Sequence, residues 1–284
     1  MKAGYATRVD EKPQFPGYFD DKFEVAGIAG SPAYFGLNVL HGLVEGIRDF
    51  SEVRQERWRR RYRSLGTGLI ASSMWIDDEE LIDAIGQLVA ASVIVRKQPR
   101  RPTDLRKLEP LDDLNQRTPG MPIRAFSALS GLAPTVDGEP ALIRPNDRPD
   151  DTVVPTIRTL GWRRTGNENV PILHAKLALL GHLWWRDEDG LGMVSDEIGF
   201  RARRLWISSA NFTRSSRSSL EFGFWTEEQS LLDGAERFLV LLMASSEGVD
   251  PESDAFRPDL APYEFEDEAM ADYAAEFGWG MEED

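Results

Sequence analysis

Two residues suited to phosphate chemistry lie two apart in the second half of the chain. His174 and Lys176 belong to residues 171–180, in which every odd position from 173 to 179 is apolar. This alternation predicts a β-strand whose odd positions face a core. Because side chains alternate between the two faces of a strand, His174 and Lys176 must emerge together on the other face. An imidazole beside a fixed ammonium can bind a phosphate and attack it.

Further polar residues follow on the next two predicted strands. Residues 204–209 predict a strand that ends in Ser208 and Ser209, and Asn211 comes directly after it. Hydroxyl, amide and main-chain donors at this strand end can reach the same anion as Lys176. Glu221, on a predicted strand over 220–225, is the candidate acceptor that would hold one ring nitrogen of a neutral imidazole.

The order His-x-Lys, Ser-Ser-x-Asn and Glu resembles the phospholipase D superfamily. The resemblance covers roughly residues 66–245 and implies an α/β fold, a phospholipase D-like mixed sheet flanked by helices, with one motif per chain. It implies phosphodiester cleavage through a covalent phosphohistidine, without a metal or another cofactor. The implied catalytic residues are His174, Lys176, Asn211 and Glu221.

The chain departs from the family pattern at two positions. Gly181 stands where the family has an aspartate, the fifth residue after the lysine, and Ser208 stands where it usually has a glycine. An insertion over residues 181–203 separates the two motif strands, and its glycines predict a long hairpin.

The family's chemistry requires a second imidazole to protonate the leaving group and then to activate water. The chain has three histidines, and neither His41 nor His182 has a lysine two residues further on. His41 is predicted on a helix face, and His182 is predicted in a loop near two tryptophans. The resemblance to single-motif members therefore implies a homodimer in which two copies of His174 meet across a twofold axis.

The region before the motif predicts a strand-helix-strand unit. Residues 68–75 predict a buried strand whose end carries Ser72 and Ser73, which we interpret, with Ser208 and Ser209, as substrate-binding residues. Asp77 and Asp78 open a predicted helix, and residues 92–96 predict the next strand, parallel to the first. Other predicted elements are strands over 122–126 and 154–160, a loop over 128–155, and helices over 31–63 and 228–244.

Charge divides the chain unevenly and suggests three regions. Of the net charge of -15, residues 246–284 carry -13, from 14 acidic residues and one arginine. We therefore predict an N-terminal helical segment packed on the core (1–65), a catalytic domain (66–245) and an acidic aromatic tail (246–284). The aromatic residues in the tail predict an ordered element, which either covers the substrate groove or docks a protein partner.

Two arginine-rich clusters outside the tail favour a nucleic-acid partner, DNA or RNA, although each could also be a solvated surface. The first spans residues 54–63, and the second spans residues 96–107. The chain has no cysteine, so it has no disulfide or thiolate nucleophile. No apolar run approaches the roughly 18 residues of a membrane span. We therefore expect a cytoplasmic protein with no membrane partner.

Three functions remain open from the sequence. The first is a metal-independent nuclease of the phospholipase D type. The second is a catalytically silent module of the same fold that binds nucleic acid or protein. A phospholipase is less favoured, since no interfacial apolar surface or membrane anchor is evident.

Overall fold

A computed structural model describes residues 22–24, 31–52, 62–97, 109–147, 149, 152–162, 172–187, 196–249 and 256–276. Fifteen strands are present in these ranges. In chain order they are β1 (Lys22–Glu24), β2 (Pro32–Gly36), β3 (Tyr62–Ser73), β4 (Ala90–Arg96), β5 (Met121–Pro122), β6 (Leu132–Pro134), β7 (Leu142–Ile143), β8 (Val153–Val154), β9 (Ile157–Leu160), β10 (Leu177–Asp187), β11 (Asp196–Ser208), β12 (Glu221–Thr226), β13 (Glu247–Gly248), β14 (Leu260–Pro262) and β15 (Glu264–Phe265).

Nine of these strands form one mixed sheet in the order β1-β2-β12-β11-β10-β3-β4-β9-β13. Strands β3, β4 and β9 are parallel to one another, and all other neighbours in the sheet are antiparallel. The mixed sheet flanked by helices that the sequence predicts is therefore present. The α-helices of the described residues are α1 (Leu40–Glu52), α2 (Glu79–Ile85), α3 (Glu109–Arg117), α4 (Gln229–Ala244) and α5 (Asp267–Glu276).

Both faces of the sheet are covered, and alternate residues of each strand enter different cores. On β3, Leu69 and Ala71 belong to a first core that includes α1, α2 and α3, whereas Ile70 belongs to a second core under α4. Covering each face removes apolar side chains from water, which stabilises the fold by about 25 cal/mol per Å² of buried apolar area. The central strands are consequently apolar on both sides.

The predicted strand-helix-strand unit is confirmed as β3, α2 and β4. Asp78 begins α2 as its N-cap, and its Oδ1 accepts a hydrogen bond of 3.0 Å from the amide of Leu81. The helix buries Leu81 and Ile85 against the first core. Strands β3 and β4 pair in parallel, with Ile70 opposite Ser92.

The helix predicted over residues 31–63 is wrong at its start. Residues 32–36 instead form β2, whose Tyr34 packs on Trp206 with 5.7 Å between ring centroids. Gly36 and Asn38 have positive φ angles of 117° and 57°, which interrupt any helix before Leu40. The helix is present from Leu40 to Glu52, and residues 53–61 lie outside the described residues. The prediction is also wrong at its end, because Tyr62 and Arg63 already belong to β3.

The predicted strand over 122–126 is also wrong beyond its first residue. Only Met121 and Pro122 pair, with β8, and a 3₁₀ turn follows at Ile123–Ala125. A proline has no amide hydrogen to donate, which limits pairing at Pro122. The predicted loop over 128–155 contains the short strands β6, β7 and β8.

The insertion after the motif forms the long hairpin that its glycines predict. Strands β10 and β11 pair from Leu177 opposite Ile207 to Asp187 opposite Asp196, with a register shift between Leu180 and Gly181. Gly199 permits close packing of Trp184, whose ring would lie 2.1 Å from a Cβ at that position. Gly190 and Gly192 lie outside the described residues.

The acidic tail contains ordered elements, as its aromatic content predicts. Strand β14 pairs with β6 and β15 pairs with β7, so this part of the tail lies on the 128–155 segment. Arg158 of β9, only 1% exposed, donates to Ser246 Oγ (2.6 Å) and also contacts Asp259 of the tail. Phe277 and Trp279 lie outside the described residues. No helix in the described part of the chain is long and apolar enough to cross a bilayer.

Candidate active site

Four adjacent strands bring the motif residues to one edge of the sheet. Strands β12, β11, β10 and β3 are neighbours in this order. Strand β3 ends at Ser73 and β11 ends at Ser208, while β10 begins at Leu177 and β12 begins at Glu221. Because antiparallel neighbours run in opposite directions, these two ends and two beginnings meet at the same edge.

His174 and Lys176 lie just before β10 rather than inside a strand over 171–180. The predicted alternation is nevertheless correct, since Leu173 and Leu179 belong to the second core and Ala175 packs against it. His174 is exposed, and Lys176 is only 8% exposed. The Lys176 side chain is therefore more enclosed by protein than the His174 side chain.

Strand register places Lys176 and Glu221 on one face. The main-chain carbonyl of Lys176 accepts a hydrogen bond of 3.2 Å from the amide of Ser208. Ser208 is paired with Gly223, which is two residues from Glu221 on β12. Since positions two apart on a strand share a face, Lys176, Ser208 and Glu221 are on the face of the first core.

The ammonium of Lys176 contacts the ring of His174 directly. Its Nζ lies 3.0 Å from Nδ1 and 3.2 Å from Nε2 of His174. Burial lowers the pKa of Lys176 from its ordinary value, and the negative charge of Glu221 opposes this shift. A phosphate at this position would add the negative charge that the buried ammonium lacks.

Glu221 contacts Ser209 rather than His174, which corrects the predicted role of this carboxylate as the acceptor for the imidazole. The hydroxyl of Ser209 donates to Glu221 Oε2, and its oxygen accepts a hydrogen bond of 3.0 Å from the amide of Phe222. In the described residues, the hydrogen-bond partner of the His174 ring is Lys176. The carboxylate thus acts on the charge of Lys176, whose pKa it raises.

The other three serines hold the main chain around the site. Ser208 Oγ donates to the carbonyl of Phe222 (2.7 Å) and accepts from the amide of Ala210 (2.9 Å). Ser73 Oγ accepts from the amide of Phe212 (3.0 Å), and Ser72 Oγ donates to the carbonyl of Ala175 (3.4 Å). All three serines are buried and bonded to the main chain, so in this arrangement they position the strand ends, and their role in binding substrate remains a prediction.

Asn211 follows β11 at the same edge. Its Oδ1 is buried without a hydrogen-bond partner among the described residues. A buried acceptor without a partner costs free energy, and a donor group of a ligand would satisfy it, whereas a phosphate oxygen, itself an acceptor, would have to bind the side-chain Nδ2. No hydrogen bond joins Asn211 to His174 or Lys176 in the described structure, and its predicted role remains a prediction.

A serine-rich loop after Asn211, residues 213–219, was not recognised from the sequence. Arg217 binds Asp78 through two hydrogen bonds, of 2.5 Å to Oδ2 and 2.8 Å to Oδ1, and reaches Glu80 at 3.0 Å. The amide of Arg214 donates to Asp77 Oδ1 (2.9 Å). The run of four acidic residues at 77–80 was the available signal, because it needed basic partners elsewhere in the chain.

Ion pairs between the arginines of this loop and the acidic residues at the start of α2 hold the loop in place. Burial raises the pKa of Asp78, but hydrogen bonds from Arg217 and the amide of Leu81 outweigh it and hold that pKa below its usual value. The hydrogen bond to Asp78, together with the negative charges of Asp78 and Glu80, raises the pKa of Arg217 above its ordinary value despite burial. The pair therefore stays ionised and fixes the loop beside the start of α2.

The other two histidines are occupied elsewhere. His41 is on α1, as predicted, and its Nε2 lies 3.2 Å from Glu45 Oε1. His182 is not a loop residue, as predicted, but a buried member of β10 that stacks on Phe50 with 4.9 Å between ring centroids. Of the three histidines of this chain, one lies at the site.

Only a few members of the two arginine-rich clusters lie in the described residues. Arg63 is exposed on β3, and Lys97 is buried in an ion pair of 2.6 Å with Glu247, so Lys97 is not available to a phosphate. The remaining members lie outside the described residues, apart from Arg96 at the end of β4. Within the described ranges, no three His, Asp or Glu side chains converge in a way that could hold a metal ion.

Comparison with known proteins finds likeness only among solved structures. No family model matches the chain, and no curated protein matches it. NucT from Helicobacter pylori is similar over 77% of this chain and 99% of its own, with 11% identity and a TM-score of 0.41. Nuc from Salmonella typhimurium, described as a phospholipase D family member, is similar over 77% of this chain and 98% of its own, with 8% identity and a TM-score of 0.39.

Proposed function

We propose that this chain is a phosphodiesterase, and specifically a nuclease that acts on DNA or RNA without a metal. The observation that carries the proposal is the buried ammonium of Lys176 against the ring of His174, on the same face as Glu221. A cation, a potential nucleophile and a carboxylate at one strand edge are the groups that phosphoryl transfer needs.

The first step is an attack of His174 on phosphorus. A phosphorus–nitrogen bond forms, the phosphorus–oxygen bond to the leaving group breaks, and the leaving oxygen takes a proton from a second imidazolium. Lys176 binds the nonbridging oxygens, where preorganised positive charge stabilises the transition state. The arriving phosphate also draws Nζ away from the ring and thereby frees the nitrogen that attacks.

The second step returns His174 to its free form. Water attacks the phosphohistidine, the second imidazole removes a proton from that water, and the phosphorus–nitrogen bond breaks. Because the chain's other two histidines are occupied, the second imidazole is His174 of another copy, and the active form is a homodimer. Asn211 is the proposed amide contact to the phosphate.

The test is cleavage of labelled single- and double-stranded DNA and RNA in the presence of EDTA. His174→Ala should abolish cleavage, and Lys176→Ala should reduce it by about 10²–10³-fold, the cost of one lost charged or oxyanion donor. His41→Ala is the matched control, because His41 is an exposed histidine on α1 and should leave the rate unchanged. Cleavage that persists in His174→Ala would remove the proposed nucleophile.

Binding without cleavage would favour the silent module instead. In that case wild type and His174→Ala should retain nucleic acid equally in a filter assay, and neither should release labelled product. Cleavage that EDTA abolishes would instead indicate a metal-dependent reaction.

A further inference from the structure

The sheet edge that carries His174 also carries an exposed tryptophan. Strands β10, β3, β4 and β9 are consecutive neighbours, and their pairing places Leu177, at the start of β10, level with Arg158 of β9. Counted outward from that level, His174 is three residues before Leu177, and Trp162 is four residues after Arg158. Both residues therefore lie beyond the same edge, three strand spacings apart, which is about 14–15 Å.

Trp162 belongs to a pair of aromatic rings. Gly161 has a φ angle of 91°, a conformation that favours glycine, so the chain turns between the end of β9 and Trp162. The side chain after this turn is 45% exposed, and its ring lies 4.9 Å between centroids from the ring of half-buried Phe256. The contact with Phe256 restricts the indole, while nearly half of the surface of Trp162 remains accessible to a ligand.

An arginine-rich sequence begins at this edge, between the two residues. Arg96 is the last residue of β4, and β4 lies between β3 and β9 in the sheet. Arg96 is also the first residue of the second arginine-rich cluster, residues 96–107, which contains six basic residues and one acidic residue. A polyanion that extends along the edge from His174 therefore passes the start of this cluster before it reaches Trp162.

We propose that Trp162, supported by Phe256, stacks on a base of a single-stranded nucleic acid whose phosphate is bound at His174, an inference that rests on the proposed function. An indole stacks on any base, because every base has a π face. A base inside a duplex is already stacked between its neighbours, so a single strand is the form that can offer one. At 3.4 Å per nucleotide, Trp162 lies about four stacked nucleotides from the phosphate at His174.

A second exposed aromatic pair supplies the matched control. The rings of Tyr263 and Phe265 lie 5.6 Å apart between centroids, and Phe265 is 55% exposed. Phe265 belongs to β15, which pairs with β7 in a separate two-stranded sheet. Phe265 therefore matches Trp162 in exposure and in having an aromatic neighbour, but it does not extend from the edge that carries His174.

The first experiment compares two substrates of the full-length protein: a single-stranded oligonucleotide, and bis-p-nitrophenyl phosphate, which is too short to reach Trp162. Trp162→Leu keeps an apolar side chain and should raise KM for the oligonucleotide by about 5–150-fold, the value of one stacked base, with kcat unchanged. Its kcat/KM for the small diester should not change. Trp162→Phe should restore most of the affinity, and Phe265→Leu should behave as wild type. Equal losses on both substrates would overturn the proposal.

The second experiment changes the substrate, so it decides the question even if Trp162→Leu does not fold. In a strand with one cleavable phosphodiester among phosphorothioates, an abasic nucleotide replaces each position in turn. Wild type should show its largest rise in KM when the missing base is about four nucleotides from the cleaved bond. Trp162→Leu should show no further loss there, because base and indole belong to one contact. Abasic positions that are all equivalent in wild type would overturn the proposal.

Binding measurements separate this inference from the proposed function. In the His174→Ala background, fluorescence anisotropy compares labelled oligothymidylate with its duplex, with and without Trp162→Leu. Weaker binding of the single strand alone supports the stacking contact, even if wild type cleaves nothing and the nuclease proposal fails. If wild type cleaves the oligonucleotide but Trp162→Leu leaves single-strand affinity unchanged, the nuclease proposal stands and this inference fails. Equal losses of affinity for single strand and duplex would also overturn it.

Discussion

Lys176 places its ammonium nitrogen 3.0 Å from Nδ1 and 3.2 Å from Nε2 of His174, so one cation reaches both nitrogens of the ring. A neutral imidazole has one nitrogen that can accept a hydrogen bond, and that same nitrogen is its nucleophile. On the proposed function, Lys176 therefore covers the attacking atom in the free protein, and substrate binding uncovers it.

Replacing Lys176 with methionine should reduce cleavage by about 10²–10³-fold, as for alanine, and yet stabilise the protein at neutral pH. Methionine preserves the apolar stem and removes a buried charge whose pKa is lowered by burial. Because the lysine pKa in the folded protein is below 10.5, the gain should be full below the folded pKa and should vanish as the pH rises to 10.5. Urea unfolding of both proteins between pH 7 and 11 measures this, and a less stable mutant at pH 7 would contradict it.

Replacing Glu221 with glutamine should move the alkaline limb of the rate profile to lower pH. The carboxylate raises the pKa of Lys176, so its loss lets burial lower that pKa further. Glutamine can still accept the hydrogen bond from Ser209. Initial rates across pH 6–11 measure the shift, with Glu45→Gln on α1 as the control. An unshifted limb would mean that Lys176 is not the titrating group.

Placing at position 181 the aspartate of the phospholipase D pattern should destabilise this chain. A Cβ on Gly181 would lie 2.5 Å from the carbonyl oxygen of Arg201 and 2.5 Å from the ring of Phe200. Gly181→Asp and Gly181→Ala should each cost at least about 1–3 kcal/mol, as expected for overpacking. Gly234→Ala on α4 is the control, since its Cβ meets nothing within 4 Å and should stabilise by about 0.5–1 kcal/mol. Thermal denaturation measures these changes in stability. A Gly181→Ala protein as stable as wild type would refute the steric account.

Removing the charge of Arg217 should loosen the loop over 213–219. Arg217→Met leaves Asp78 buried and ionised without its partner, which should cost about 3–5 kcal/mol. The pKa of Asp78 is below its usual 3.8, so this stabilisation is present above pH 3.8 and is lost as the pH falls through the folded pKa. Acid titrations of wild type and Arg217→Met should converge at low pH. Asp78→Asn in the Arg217→Met background should recover part of the loss.

The tail should contribute to stability through Asp259. Arg158 is 1% exposed, and Asp259 supplies its carboxylate partner, so Asp259→Asn should destabilise by about 3 kcal/mol. Glu264→Gln, at an exposed tail position, should change stability by less than about 0.5 kcal/mol. Equal midpoints in denaturant would contradict the anchoring role.

The ion pair between Arg158 and Asp259 also changes how self-inhibition by the tail should be tested. Truncation after Ser245 would remove Asp259 and unpair Arg158, so lost activity could reflect lost stability. Truncation after Glu266 keeps the ion pair between Arg158 and Asp259 and removes seven acidic residues. If the tail competes with nucleic acid, this shorter protein should bind DNA or RNA more tightly at low salt, and the difference should shrink as salt rises. Equal affinities at low salt would leave a protein partner or solubility as the role of the tail.

Local patterns predicted the elements that depend on neighbouring residues. The alternation over 173–179 and the cap at Asp78 depend on contacts within a few residues, and both are correct. The start of α1 was missed because residues 32–36 pair with β12, almost two hundred residues away in the chain. His182 was misplaced for the same reason, since its stacking partner Phe50 belongs to a different element.

The sequence by itself determined which groups are available: three histidines, no cysteine, and an acidic tail. It also determined that His174 and Lys176 share a face, because the alternation of apolar residues from 173 to 179 continues through the segment just before β10. Only the tertiary structure decided that Glu221 joins them and pairs with Ser209. That outcome depends on the register of β10, β11 and β12, and a slip of one residue would move Glu221 to the opposite face of the sheet.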